Sequence, residues 1–133
     1  EDAQQASSAH RSFNHPTSDF LTMCNVWDGY IAAMSVSRSN ARRFCLKNYL
    51  NQTAFTEITD MRRQFFDLLI SIGFVDRAMS LDELTTSPFN KYSERDEVVN
   101  AAVCAGLYPN IAHTSGSGLF TRDEKLYFHK SSV

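Results

Sequence analysis

Residues 53–72 read TAFTEITDMRRQFFDLLISI, and this stretch decides the class of fold. Apolar residues recur in it at steps of three and four, which is the spacing of one side of an α-helix. They are Phe55, Ile58, Met61, Phe65, Leu68, Leu69 and Ile72. Gly73 follows, and glycine commonly ends a helix in the left-handed conformation. The stretch therefore predicts a long amphipathic helix with these apolar residues along one side.

Three shorter helices are predicted around it. The first follows a candidate N-cap at Thr17 or Ser18. Its apolar positions are Phe20, Met23, Cys24, Trp27, Tyr30, Ile31 and Met34. After a polar turn at residues 35–40, a short helix carries Phe44, Leu46, Tyr49 and Leu50 as its apolar positions. The last helix ends before Pro109, and Ser93 followed by Asp96 and Glu97 resembles its capping box.

The sequence pattern changes after Pro109, where three short strand-like runs alternate with turns. They span residues 111–114, 119–121 and 125–129. Two or three strands cannot hide their edges alone, so we expect further protein to complete this sheet. The predicted class is mainly α: a small helical bundle followed by a short, incomplete antiparallel β segment. Its predicted parts are a flexible lead-in over 1–16, a helical domain over 17–108 and a β segment over 109–133, with an irregular acidic loop at 76–92.

Bulk composition excludes several classes of protein. The chain has 133 residues, 43% of them hydrophobic and 21% charged, with a net charge of −2, which is typical of a globular domain. No apolar run approaches the roughly 18 to 20 residues that span a bilayer, so we expect no membrane association. Cys24, Cys45 and Cys104 are odd in number and widely spaced, which predicts buried free thiols in a reducing compartment. We therefore expect an intracellular protein, cytoplasmic or nuclear, with a mitochondrial location as the alternative.

Several short motifs together resemble one known family. They are residues 13–16 (FNHP), 18–22 (SDFLT), 25–27 (NVW), 48–50 (NYL), 61–65 (MRRQF), 102–112 (AVCAGLYPNIA) and 126–133 (LYFHKSSV). In order and spacing they resemble the C-terminal helicase-associated, ratchet-like region and the start of the OB-fold of DEAH/RHA-type RNA helicases, in the RHA-like branch. The run 102–112 is the most specific. Phe20 stands where the family has histidine, and Lys130 where it has proline.

The resemblance implies an accessory region with no catalytic residue of its own. No Gly-x-x-x-x-Gly-Lys-Ser/Thr loop and no Asp-Glu-x-His run occurs in the chain, so it lacks a phosphate cradle and a magnesium carboxylate. The resemblance places ATP and Mg²⁺ in RecA-like domains of a longer parent, an ATP-dependent RNA helicase. It implies single-stranded RNA, these RecA-like domains, the rest of the OB-fold and a protein activator as partners. The four histidines show no metal-ligand spacing, and we expect no cofactor in this segment.

Positive charge indicates where RNA would be bound. Between Arg38 and Arg63 six basic residues face only two acidic ones, Glu57 and Asp60. Such a surface can pair with phosphates, although a solvated helix face with local ion pairs explains the pattern as well. The predicted RNA-binding residues are Arg42, Arg43, Lys47, Arg62 and Arg63 in the helices, with Lys125, Tyr127 and His129 in the β segment. Arg62 fits an RNA contact and a tether to a neighbouring domain equally well.

Two alternatives to an RNA-binding accessory region remain open at this point. In one, the chain is a protein-interaction module that docks an activator or partner, and its basic patch is incidental. In the other, weaker one it is an independent enzyme, against which the absence of an acid–base or nucleophile constellation counts. On a strand that alternates its sides, Tyr127 and Phe128 cannot both face a binding groove, so we expect one of them in the core.

Overall fold

A computed structural model describes residues 2–122, 124–130 and 132 of the chain. Six α-helices occur in this part: α1 (Asp2–Arg11), α2 (Asp19–Val36), α3 (Arg38–Lys47), α4 (Gln52–Ser71), α5 (Leu81–Thr86) and α6 (Asp96–Leu107). A 3₁₀ turn spans Pro88–Asn90, and the strands are β1 (His113–Ser115), β2 (Gly118–Phe120) and β3 (Lys125–Leu126). The predicted class, mainly α with a short antiparallel β segment, is confirmed. Glu1, Asp123, Ser131 and Val133 lie outside the described residues, and with them parts of the predicted lead-in, turn and last motif.

Serine side chains begin both α2 and α3. The Ser18 hydroxyl accepts a hydrogen bond from the Leu21 amide at 3.3 Å, which makes Ser18 the N-cap of α2. The Ser37 hydroxyl accepts from the Asn40 amide at 3.1 Å and caps α3. The predicted polar turn at residues 35–40 is wrong, because the two helices are separated by Ser37 alone, whose extended backbone redirects the chain.

Helix α4 ends as its sequence predicts. Gly73 has φ 75°, in the left-handed region. The Phe74 amide donates to the Leu69 carbonyl at 2.9 Å, and the Gly73 amide donates to Ile70 at 3.0 Å. These are the two bonds of a Schellman motif, which satisfies carbonyls at the helix end. The predicted role of Gly73 is therefore confirmed.

Helix α3 ends in the same way, but with tyrosine in place of glycine. Tyr49 has φ 56°, and the Leu50 amide donates to the Cys45 carbonyl at 2.9 Å. A non-glycine residue in this region carries a backbone strain of about 1 kcal/mol. The Tyr49 hydroxyl donates to Oε1 of Gln5 at 2.7 Å. Asn48, just before it, is buried, and its side-chain amide donates to the Phe44 carbonyl at 2.9 Å.

The core of the helical unit lies where α2, α3 and α4 meet. Its buried residues are Tyr30, Ala41, Cys45 and Phe55, and the partly buried residues packed on them are Val26, Trp27, Met34, Phe44 and Leu50. The Tyr30 and Phe55 rings stack with centroids 4.0 Å apart and planes 11° apart. Of the predicted buried thiols only Cys45 is buried, whereas Cys24 and Cys104 are exposed.

The long helix predicted over residues 53–72 is confirmed as α4. Most of its predicted apolar positions are exposed, however, and of these residues only Phe55 is buried and Leu69 half-buried. Ile58, Met61, Phe65, Leu68 and Ile72 all face solvent, and the exposed fraction of Phe65 is 59%. The buried residues of the helix are Phe55 and Phe66. Both sides of α4 carry apolar residues, and periodicity alone does not indicate which of two apolar sides meets the core. Phe20, Met23 and Ile31 of α2 and Leu46 of α3, which stand at predicted apolar helix positions, are likewise exposed.

Two further segments differ from the prediction. The lead-in predicted as flexible contains α1, and the predicted irregular loop at 76–92 contains α5. Helix α5 has a complete capping box, in which the Glu83 amide donates to the Ser80 hydroxyl and the Ser80 amide donates to the Glu83 carboxylate. The capping box predicted at Ser93 does not form, because α6 begins at Asp96 after Arg95, which makes no side-chain cap bond.

Residues 91–133 form a compact unit separate from residues 1–90. Its strands pair in the order β1-β2-β3, with Thr114 opposite Leu119 and Leu119 opposite Leu126. The turn between β1 and β2 has Gly116 at φ 59°. The three predicted strands are present; β1 and β3 are shorter than predicted, and β2 has the predicted length but begins one residue earlier. The contacts divide the chain after Asn90, and the predicted assignment of residues 109–133 to the start of an OB-fold stays a prediction.

Candidate nucleic-acid interface

Helix α3 presents a cationic surface because of how it is anchored. Ala41 and Cys45, one turn apart, are 0% and 2% exposed and hold one side of the helix in the core. The remaining circumference carries Arg42, Arg43 and Lys47, all exposed, with Arg43 and Lys47 one turn apart on the side away from the core. These three side chains, predicted from the sequence, are brought together by the structure on one helix. We call Arg42, Arg43 and Lys47 the cationic face.

The positive charges on α3 lower the stability of the helix itself. The helix has no acidic residue, and it places Arg38 in its first turn, where the helix dipole favours an acid. Arg38 and Arg42, and likewise Arg43 and Lys47, are like-charged pairs four residues apart, each of which destabilises a helix by about 0.2–0.5 kcal/mol. Only Lys47, in the last turn, has a favourable position relative to the dipole. Nη2 of Arg43 donates to Oδ1 of Asn40 at 2.9 Å, which orients one guanidinium.

Arg62 of α4 has a different environment. Its guanidinium carbon lies 4.9 Å from the centroid of the Trp27 ring, in a cation–π contact. The Trp27 ring is in turn stacked on Phe55, with centroids 6.4 Å apart and planes 29° apart. Arg62 therefore lies on the aromatic side chains that join α2 and α4. Arg63, the next predicted residue, is exposed.

The β segment places two of its three predicted residues side by side. Nζ of Lys125 lies 5.5 Å from the centroid of the Tyr127 ring. Both residues line an open depression of about 390 Å³, together with Thr114, residues 116–119, Leu126 and Phe128. His129 is exposed and does not line it. The exposed fractions of Tyr127 and Phe128 are 81% and 72%. The expectation that one of the two is core is wrong, because the strand ends at Leu126 and its alternation stops there.

The described residues contain few features of other functional classes. Among residues 2–122, 124–130 and 132, no group of three or more His, Cys, Asp or Glu side chains is placed to hold a metal ion. None of the described helices has the length and apolar character needed to cross a membrane. Although Cys24 is exposed as a residue, partial burial of its thiol raises the thiol pKa, Asp28 adds to the rise, and the positive charge of Arg62 opposes it.

Comparison with known proteins relates the whole chain to one group of enzymes. It is 33% identical to the DExH-box ATP-dependent RNA helicase DExH1 of Arabidopsis thaliana over 98% of this chain and 13% of that protein. It is 26% identical to the putative ATP-dependent RNA helicase DHX57 of Mus musculus, over 81% of this chain and 9% of that protein. The ATP-dependent DNA/RNA helicase DHX36 of Rattus norvegicus is 28% identical over 71% of this chain and 9% of its own length.

The chain belongs with the helicase-associated region of the DEAH/RHA helicases. The resemblance seen in its motifs is thereby confirmed. The chain spans about 8 to 13% of the length of the relatives it matches. No protein-family model matches it.

Several motifs of this helicase-associated region act structurally at the start of α2. The amide of His15, in the FNHP motif, donates to Oγ1 of Thr22, in the SDFLT motif, at 2.8 Å. The side-chain amide of Asn25, in the NVW motif, donates to the Phe13 carbonyl at 2.9 Å. These bonds tie the segment before α2 onto the helix, which gives the three motifs a role in local structure.

Two partners of the predicted site residues were missed by sequence reasoning. Asn40 precedes Arg43 by three residues on one helix, and this spacing alone indicates neighbouring side chains. The pairing of Trp27 with Arg62 joins two different helices, so no local pattern indicates it.

Proposed function

We propose that this chain is an accessory, helicase-associated segment that binds single-stranded RNA through the cationic face of α3 and carries out no chemistry itself. The observation that carries the proposal is that α3 keeps four basic residues and no acidic one at a cost to its own stability. A bound polyanion would offset that cost. The relatives are named as ATP-dependent RNA or DNA/RNA helicases, which supports RNA as the polyanion.

Contact would be made mostly to the nucleic-acid backbone. Arginine presents a planar fork of N–H donors that matches two phosphate oxygens, and Asn40 already orients the guanidinium of Arg43. Phosphate contacts carry no base information, so we expect little sequence preference. Arg63, Lys125, Tyr127 and His129 are secondary candidates, with Tyr127 suited to stacking on a base. Arg62, whose guanidinium lies over Trp27, is not counted among them.

We further propose that the exposed apolar side of α4 is an interdomain docking surface. We call Ile58, Met61, Phe65, Leu68 and Ile72 the docking stripe. A contiguous row of exposed large apolar residues commonly marks a protein interface. Its occupant in this proposal is a RecA-like portion of a helicase, where ATP and Mg²⁺ would be bound. The support is that the helicase relatives are many times longer than this chain.

The second candidate is a protein-interaction module that binds an activator or partner without RNA. The docking stripe is the observation that favours it, since five exposed apolar side chains on one helix need no nucleic acid to explain them. In this alternative the cationic face is a solvated surface. The two candidates make opposite predictions about RNA affinity and its dependence on salt.

The test is a fluorescence-polarisation titration of a labelled single-stranded RNA with the whole chain at several salt concentrations. The variant Arg42→Ala/Arg43→Ala/Lys47→Ala removes the cationic face, and Arg77→Ala/Lys91→Ala/Arg95→Ala removes the same charge elsewhere. Circular dichroism checks that both are folded. For the wild-type chain we expect the logarithm of the affinity to fall linearly with the logarithm of the salt concentration.

The first variant should reduce that salt slope by about 2, since three phosphate contacts to a single strand contribute about 0.7 each. The matched variant should keep most of the slope. Equal losses of salt slope in both variants would mean that RNA binding depends on the net charge of the chain and not on the cationic face. No binding at low salt by the folded wild-type chain would leave the interaction module as the function.

A further inference from the structure

Four side chains form a continuous column from the surface to the core of the helical unit. Arg62 is exposed, Trp27 is half-buried, and Phe55 and Tyr30 are each 5% exposed. Successive members are in contact: Arg62 over Trp27 at 4.9 Å, Trp27 to Phe55 at 6.4 Å, and Phe55 to Tyr30 at 4.0 Å. The column alternates between α4 and α2, so each contact in it joins these two helices.

We propose that Arg62 is a positioning residue, which clasps α4 onto α2 through Trp27 and so fixes the docking stripe relative to the cationic face. On this proposal Arg62 does not itself bind a phosphate of RNA. The structural half of the proposal is independent of RNA binding. Its functional meaning rests on the proposed function, which assigns the two surfaces their roles.

The place of α2 explains why one clasp matters. Of the described helices, α2 and α3 pack together most extensively, and Tyr30 of α2 shares the buried cluster with Ala41 and Cys45 of α3. Helix α2 therefore packs against and supports α3, the helix that bears the cationic face. It is joined to α4, which carries the docking stripe, through Trp27 and Tyr30.

The neighbours of Arg62 on α4 suit a clasp better than a phosphate site. Residues three and four positions away on a helix are its lateral neighbours, and for Arg62 these include Ile58, Phe65 and Phe66. A guanidinium beside apolar groups can lay its face on an aromatic ring while its stem packs on the surface. The contact of the Arg62 guanidinium with the Trp27 ring shows the side chain directed at α2.

The chain contains a single tryptophan, so its intrinsic fluorescence reports on Trp27 alone. We would measure the emission maximum and acrylamide quenching of the full chain for the wild type, R62Q and R62K, with R63Q as the matched control. Removing the cation that covers the ring should shift R62Q emission to the red and increase quenching. R62K should be intermediate, because an ammonium also binds an aromatic face but covers less of it. R63Q should match the wild type.

RNA titration of the same variants supplies the opposing readout. A positioning residue predicts that R62Q keeps the wild-type salt slope, whereas loss of one phosphate contact would lower it by about 0.7. Unchanged Trp27 fluorescence in R62Q together with that lower slope would overturn the proposal, and so would an equal shift in R63Q. If R62Q does not fold, R62K decides: an intermediate shift supports the clasp and no shift overturns it. Failure of the wild-type chain to bind RNA would defeat the proposed function and leave the fluorescence test of the clasp intact.

Discussion

The helical unit has buried residues, whereas the segment after it has none among its described residues. Every described residue that is buried lies between Leu21 and Val75: Leu21, Tyr30, Ala41, Cys45, Asn48, Phe55, Phe66 and Val75. Among residues 91–122, 124–130 and 132 none is buried, although α6 and three strands form there. Regular secondary structure thus arises in both regions, but a packed core in only one. A small sheet without a covered apolar face contributes little stability alone, so the free energy of unfolding should reside mainly in α2, α3 and α4.

The largest expected effect comes from Phe55→Ala. This change removes the ring that stacks on Tyr30 and Trp27, and loss of a buried phenylalanine costs about 3–5 kcal/mol. The matched change in the other region, Phe128→Ala, removes the same atoms from a side chain that is 72% exposed. It should change the free energy of unfolding by less than about 0.5 kcal/mol.

Urea unfolding followed by circular dichroism measures both variants. Comparable destabilisation by Phe55→Ala and Phe128→Ala would show that residues 91–133 have an interior of their own. The comparison between the regions would then fail.

The positions of α2, α3, α4 and α6 could be predicted from the sequence, whereas α1, α5 and the buried sides of the helices could not. The α4 period, the Gly73 end and the Ser18 cap are local signals, and each is confirmed. Which side of α4 is buried depends on where α2 lies, which no local pattern contains. The predicted stripe through Phe65 is therefore exposed while Phe66 is buried.

A second pair of variants compares how the two regions begin their helices. Ser18→Ala removes the side-chain cap of α2 and should cost about 1 kcal/mol. Arg95→Ser supplies a cap that α6 lacks and should stabilise that helix by about 1 kcal/mol. Hydrogen exchange of the first-turn amides is the measurement, with slower exchange expected in α6 and faster exchange in α2. Unchanged exchange in α6 would mean that another group already satisfies its first amides.

The parts of the candidate site that lie within one helix could be predicted from the sequence, and the parts that depend on contacts between elements could not. The cations of α3 lie within one helix, so the sequence alone grouped Arg42, Arg43 and Lys47, and their spacing placed Arg43 and Lys47 on one helix face. The environment of Arg62 depends on Trp27, which lies on another helix, and its two interpretations could not be separated from the sequence. The pair Tyr127 and Phe128 was misjudged because the end of β3 at Leu126 depends on strand pairing, which residue alternation does not reveal.

A smaller effect concerns the left-handed turn after α3. Tyr49→Phe removes the hydroxyl that bonds Gln5 of α1, and loss of an exposed hydrogen bond costs about 0.5–1 kcal/mol. Gln5→Ala removes the same bond from the other side. Because each single change already removes the bond, the double variant in a double-mutant cycle should be as stable as the less stable of the two single variants. Fully additive losses would mean that α1 is not held by this bond.

The smallest effect is on the reactivity of Cys24 beside the clasp. Burial and Asp28 raise the pKa of this thiol, while Arg62 lowers it. Because the thiolate is the reactive form, Arg62→Gln should raise the pKa further and move the midpoint of the alkylation-rate profile to higher pH. Stopped-flow alkylation from pH 6.5 to 10 in a Cys104→Ser background measures it, since Cys45 is buried. Greater access to Cys24 would raise the plateau rate and, by relieving burial, move the midpoint to lower pH, so the direction of the midpoint shift separates charge from exposure. Arg63→Gln should leave the midpoint in place, and an equal shift in that variant would show that Arg62 acts on Cys24 only through the net charge of α4.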